Sequence, residues 1–73
     1  MKISARNVFK GTVKAIKKGS VNAEVVVQIA PGVEIVSIIT LESLKTLGLK
    51  KGGEAYAVVK ASSVMIGVPH SER

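Results

Sequence analysis

The sequence predicts an all-β fold with one short helix, arranged as a small Greek-key barrel of the OB type. Three observations carry that reading. Of the 73 residues, 47% are hydrophobic, yet there is one Phe, one Tyr and no Trp. The apolar material is therefore Val, Ile, Leu and Ala, and the β-branched residues among them suit a pleated, packed surface. Alternating segments at 7–18, 21–29 and 33–39 are separated by turn signals at Gly19-Ser20 and Ala30-Pro31-Gly32, which makes a three-stranded meander. A single capped helical stretch at 40–48 then precedes the remaining strand material, and a helix between the third and fourth strands is the OB connectivity. An SH3-like barrel is the alternative, although its helical insert is generally shorter.

The first strand, "NVFKGTVKAIKK" at 7–18, puts Val8, Lys10, Thr12, Lys14 and Ile16 on one parity and Phe9, Gly11, Val13, Ala15 and Lys17 on the other. This is a β pattern with imperfect sidedness, and Gly11 inside it signals a bulge or a strong bend. The second, "VNAEVVVQI" at 21–29, carries Val21, Ala23, Val25, Val27 and Ile29 on one face, with Val26 interrupting the polar face between Glu24 and Gln28. "VEIVSII" at 33–39 is apolar on both parities. A strand buried on two faces needs cover on both, and one small sheet cannot cover itself twice. The outer face of this strand is accordingly a candidate subunit contact.

"TLESLKTLG" at 40–48 reads as a helix with Thr40 as N-cap, Glu42 in the first turn, Gly48 as the residue past the end, and an apolar stripe of Leu41, Leu44 and Leu47. "KKGG" at 50–53 is a turn, and "EAYAVVK" at 54–60 a further strand. A last apolar piece, "SVMIGV", runs to 68, so one or two strands follow the helix. Residues 1–68 thus form one domain, and Pro69 opens a short polar tail, 69–73, expected to be disordered.

A chain of this size buries only about 60% of the surface its extended form exposes, so it needs a supplement. Cysteine is absent, which excludes disulfides and thiolate metal sites, and the one histidine, His70, lies in the tail. Subunit association is the supplement that remains. The apolar runs fall short of the ~18–20 residues a membrane span requires, and "MKISARN" lacks the apolar core of a secretory signal, so a cytoplasmic location without membrane contact is expected. Eleven Lys and Arg against five acidic residues give a net charge of +6. Such a balance points to an anionic partner, whether nucleic acid, lipid headgroup or small oxyanion.

Enzymatic chemistry finds little to work with. No nucleophile–base pair can be built without an internal His or Cys, there is no Asp, and the five Glu show no paired spacing. The glycines sit in turns and form no phosphate-cradling signature. Anion binding has better material. The start of the 41–47 helix offers free N–H groups beside the hydroxyls of Thr40 and Ser43, although the plainer reading is a capping Thr40 and a solvated Ser43. Arg6 has the planar fork of donors that suits an oxyanion, Lys60 lies at a strand end among Val58, Val59 and Ala61, and Ser62 and Ser63 read as turn residues. Either cation is equally at home as an ordinary surface charge. Single-stranded nucleic acid is the competing partner, but such sites use aromatic platforms, and only Phe9 and Tyr56 are present. The Lys pairs at 17–18 and 50–51 also fall in predicted turns.

Four blocks in order, "ISARNVFKGTV" at 3–13, "KKGSVNAEVVVQI" at 17–29, "SIITLESLKTLGL" at 37–49 and "AVVKASSVMIGV" at 57–68, resemble the Mop family of molbindins. The same module recurs in the molybdate-responsive transcription regulator and in some molybdate transporter ATPases. The resemblance implies an OB-type barrel that assembles through strand exchange into dimers, and into a homohexamer, a trimer of dimers, for single-module members. It implies binding of molybdate or tungstate at subunit interfaces, for storage or homeostasis, with no organic cofactor and no protein atom bonded directly to the metal. By motif, Ser4, Ala5 and Arg6, Thr40 and Ser43, and Lys60 with Ala61 match the oxyanion-contacting positions. Ser20, Val21 and Asn22 are the candidates for a second class of site. Some relatives carry Ser where this chain has Ala61, which leaves a backbone N–H in place of a hydroxyl. Ser4 and Arg6 would then grip the dianion together, with Asn7 fixing the strand entrance.

Overall fold

The computed structural model describes residues 1–70; residues 71–73 of the expected tail lie outside the described residues. Four strands, β1 (Asn7–Lys18), β2 (Asn22–Ala30), β3 (Val33–Thr40) and β4 (Glu54–Val59), form one antiparallel sheet in the order β3-β2-β1-β4. A helix α1 (Leu41–Leu47) joins β3 to β4, and a 3-10 turn at Ala61–Ser63 follows β4. The meander, the helix and the fourth strand stand where the hydrophobic alternation and the caps predict them. The sheet curls into half a barrel, leaving β3 and β4 as unpaired edges. "SVMIGV" adds no strand: Val64–His70 have no regular structure and are exposed.

The imperfect sidedness of β1 has a definite cause. The β1–β2 register shifts between Val13 and Ala15, so Lys14 is an extra residue and the face reverses there. Val13 points inward before the bulge and Ile16 after it, and both pack in the core. Gly11, expected to mark the bulge, does something else. A Cβ there would lie 2.5 Å from the Gln28 carbonyl oxygen and 2.8 Å from Val27 Cγ1, so the glycine permits the close approach of β1 and β2 that curls the sheet. A second register shift, between Gln28 and Ala30, precedes the Pro31-Gly32 turn, where Gly32 has φ 73°.

The inner face of β2 is the heart of the core, with Ala23, Val25 and Val27 buried beside Val13 and Leu44. Thr40 caps α1 with its hydroxyl accepting the Ser43 N–H at 3.0 Å, and Gly48 ends it in the left-handed region at φ 64°. The expected leucine stripe is shorter than the pattern suggests. Leu44 is buried and Leu41 half-buried, but Leu47 is 65% exposed and reaches over the open concave face. Lys17 and Lys18 close β1 rather than occupying a turn.

Candidate functional site

The candidate residues form two groups, and strand register decides which residues meet. The β1–β4 ladder ends at the pair Asn7–Val59. One register step further places Arg6 opposite Lys60, with Ser4 and Ala5 leading into β1 and Ala61 opening the 3-10 turn after β4. Ser4, Ala5, Arg6, Lys60 and Ala61 are thereby gathered at one end of the sheet. Ser62 and Ser63 complete the turn, with the Ser63 N–H bonded to the Lys60 carbonyl at 2.9 Å.

This end of the sheet is electropositive. The two ion pairs among the described residues, Lys10–Glu54 at 3.0 Å and Lys14–Glu34, lie further along β1. Neither Arg6 nor Lys60 has a carboxylate partner among the described residues. Both are exposed and remain available to a ligand. Ala5 is half-buried and Ala61 exposed, and backbone groups are the only polar atoms that either carries.

Thr40, Ser43, Ser20, Val21 and Asn22 gather at the opposite end. Asn22 pairs with Thr40 across β2 and β3, the Leu41 N–H donates to the Val21 carbonyl at 2.9 Å, and the Gly19 N–H donates to the Asn22 carbonyl at 2.7 Å. Thr40 does what the plainer sequence reading assigns it and caps the helix. Its hydroxyl also donates to Ser43 Oγ at 2.9 Å, which leaves the Ser43 hydroxyl proton free for a further acceptor. Lys17 and Lys18, at the adjoining end of β1, add positive charge. Thr40 and Ser43, two members of the seven-residue site of the sequence reading, are thus neighbours of the second candidate site, Ser20 to Asn22, while Ser4, Ala5, Arg6, Lys60 and Ala61 stand apart from them in one chain.

The chain does not bring the two ends together. They are separated by the length of β1, 12 residues, or roughly 35–40 Å at about 3.3 Å per residue for a straight strand. A concavity of about 710 Å³ lies on the open inner face between β3 and β4, lined by Ile35, Ile39, Leu47, Ala57 and Val59 among others. No charged residue lines it, so it suits apolar chain rather than a dianion. Among the described residues no cluster of His, Asp or Glu could hold a metal ion directly, and no helix is long and apolar enough to cross a membrane. Asn7, read from sequence as a strand-entrance residue, stands one residue from Arg6 and opposite Val59. Only the pairing reveals that Asn7 meets Val59.

Comparison with known proteins puts this arrangement in a family. Residues 3–66 match the TOBE domain. Molybdenum-pterin-binding protein 2 of Clostridium pasteurianum is 58% identical over 66 residues, which cover 90% of this chain and 97% of the relative. The solved structure of MopII from the same organism, in a form described as apo, superposes with a TM-score of 0.86 at 55% identity, covering 92% of this chain and all of that one. The cytoplasmic molybdate-binding protein ModG, solved with molybdate bound, gives a TM-score of 0.89 at 52% identity over 94% of this chain and 49% of its own, so this chain spans about half of ModG. A domain match over most of the residues, and identity above one half along nearly the full length of a Mop relative, establish that the chain belongs to the TOBE-domain family and to its Mop members.

Proposed function

We propose that the chain binds molybdate, and tungstate, reversibly at seams between copies of itself, storing or buffering the oxyanion in the cytoplasm without transforming it. The observation that carries this reading is the divided donor set. Arg6, Lys60, Ser4 and the Ala5 and Ala61 backbone stand at one end of β1, and Thr40 and Ser43 at the other. An interface that sets the first end of one copy against the second end of another would surround a small dianion with donors. Within one chain that is out of reach. The naming of ModG as a molybdate-binding protein supports the ligand, and the cytoplasmic description of ModG supports the compartment.

The apolar concavity supports assembly. Its two edges, β3 and β4, have no strand partner in the sheet, while Met65, Ile66 and Val68 are each more than 80% exposed. Exchange of that C-terminal segment between copies would close both barrels, and a trimer of such dimers is the hexamer we assign to the protein. In such a seam water is excluded, and hydrogen bonds to a charged group are worth roughly 1.5–3 kcal/mol each. Three or four reach the ~8 kcal/mol of micromolar affinity after the costs of ordering. Arg6 and Lys60 offset the two negative charges, and hydroxyl and amide donors fix the orientation. A donor-rich site disfavours phosphate, which keeps a proton at neutral pH, while sulfate is distinguished by its shorter bonds to oxygen.

Isothermal calorimetry with molybdate, tungstate, sulfate and a short single-stranded oligonucleotide tests the reading. Heat is expected from the first two and none from the oligonucleotide. Salt-sensitive oligonucleotide binding without oxyanion heat would replace this function with a nucleic-acid one.

A further inference from the structure

A second concavity, about 810 Å³, lies between α1 and the closing residues of β1. Ile16, Leu41, Leu44 and Leu49 supply its apolar floor, Lys18 and Lys45 its charge, and no carboxylate lines it. Leu44 is buried, the other three floor residues are half-buried, and both lysines are exposed. Neither lysine has a carboxylate partner among the described residues.

The sheet leaves an edge open beside this groove. β4 pairs with β1 only from Asn7 to Thr12, and the next turn takes up the Val13 backbone, with the Gly52 N–H donating to the Val13 carbonyl at 2.8 Å. From Ala15 to Lys18, β1 has β2 on one side and no strand on the other among the described residues. A segment exchanged into the space between β3 and β4 would leave that edge as it is.

We propose that the groove docks an acidic segment of a different protein, one that carries aliphatic side chains among its carboxylates. Aliphatic groups suit the floor, carboxylates suit two unpaired ammonium groups, and the open edge of β1 offers main-chain partners to an extended chain. A second copy is poorly matched, since each carries a net charge of +6. A nucleic acid brings the charge but no aliphatic surface, and no aromatic residue lines the groove to stack a base.

The position gives the groove a use. Leu41 and Leu44 directly follow Thr40 and Ser43, so the groove and the proposed oxyanion donors share one helix. A protein docked there would stand beside the seam from which the oxyanion leaves. Docking itself does not depend on the oxyanion reading.

Fluorescence anisotropy tests the proposal, with a fluorescein-labelled octapeptide of Leu-Leu-Glu-Glu repeats titrated with the full chain at low ionic strength. Each face of such a peptide, when extended, carries both residue types. Saturable binding is expected, at least ~10-fold weaker in the Lys18→Gln, Lys45→Gln double variant. The Lys50→Gln, Lys51→Gln variant removes the same charge outside the groove and should stay within ~2-fold of wild type. All four lysines are exposed, so both variants should keep the wild-type far-UV dichroism. Serine in place of every leucine of the peptide should weaken binding at least ~10-fold. Absence of saturation below ~1 mM, equal losses in the two variants, or indifference to the leucines overturns the proposal. A wild type that binds the peptide yet gives no molybdate heat would end the oxyanion reading alone, and molybdate heat without peptide binding would end the docking site alone.

Discussion

Arg6 offers a dianion something Lys60 does not, a rigid fork that donates two parallel hydrogen bonds, and it stands at the sheet end without an acidic neighbour among the described residues. Arg6→Ala is expected to weaken molybdate binding by about 10- to 100-fold, the equivalent of one charged hydrogen-bonding group, while native mass spectrometry shows the same assembly. Arg6→Lys should recover part of the loss, because charge returns but the fork does not. Gly11 is the residue on which the sheet geometry depends. Alanine there would press its methyl against the Gln28 carbonyl, which is backbone and cannot turn aside. A loss of about 1–3 kcal/mol in urea unfolding is expected, and wild-type stability would show that β1 and β2 can separate at that point. Lys10 behaves differently, as an exposed partner in an ion pair. The hydrogen bond that Lys10 donates to the Glu54 carboxylate, then the carboxylate's charge, raises the Lys10 pKa above its ordinary value. A raised lysine pKa stabilises the fold below the unfolded value and ceases to do so as pH rises through the folded one. Any contribution is therefore constant through neutral pH and disappears only in alkali.

At the scale of elements, α1 is a seven-residue helix that relies on its ends. Thr40→Ala removes the hydroxyl that accepts the Ser43 N–H and should cost about 1 kcal/mol. Thr40→Ser should keep that stability and the link to Ser43. A calorimetric titration of both variants separates the capping role from the ligand role: if Thr40 only caps, Thr40→Ser binds molybdate as the wild type does and Thr40→Ala loses affinity only as far as it loses fold. The caps were legible because Thr40, Glu42 and Gly48 are local signals. The strands were legible because Val, Ile and Thr alternate between Gly and Pro punctuation. The bulge at Lys14 was not, since an extra residue leaves only a change of parity, and Gly11 drew attention three residues too early. Nor was the leucine stripe legible to its end, because Leu47 faces a surface that one chain leaves open. For the site, residue types left Arg6, Lys60, Thr40 and Ser43 open between anion contacts and ordinary surface or capping roles, and the family motif is what singled them out. Their division between two ends of β1 depended on pairing partners 52 residues apart, Asn7 with Val59, which no local pattern encodes.

The whole molecule carries the plainest sign that it does not stand alone. Among the described residues only Val13, Ala23, Val25, Val27 and Leu44 are buried apolar residues, and the radius of gyration is 14.3 Å, against about 11 Å for a compact domain of this length. On the proposed assembly, stability belongs to the oligomer, so the melting temperature should rise with protein concentration in molybdate-free buffer. A concentration-independent melt would mean that the half-barrel holds itself together. Two truncations then locate the missing material. Removing residues 69–73 takes only polar residues and Pro69 from beyond the apolar segment, and it should leave assembly mass and molybdate affinity unchanged. Removing residues 64–73 also takes Val64, Met65, Ile66 and Val68, the exposed apolar side chains that match the concavity between β3 and β4. That protein should lose its dimer on native mass spectrometry, lose its molybdate heat, and bind apolar dyes at the uncovered inner face. If it instead kept its subunit number and its ligand, the gap between the two sheet edges would be closed by some other part of the chain, and Met1, which already lines the concavity, would be the next segment to remove.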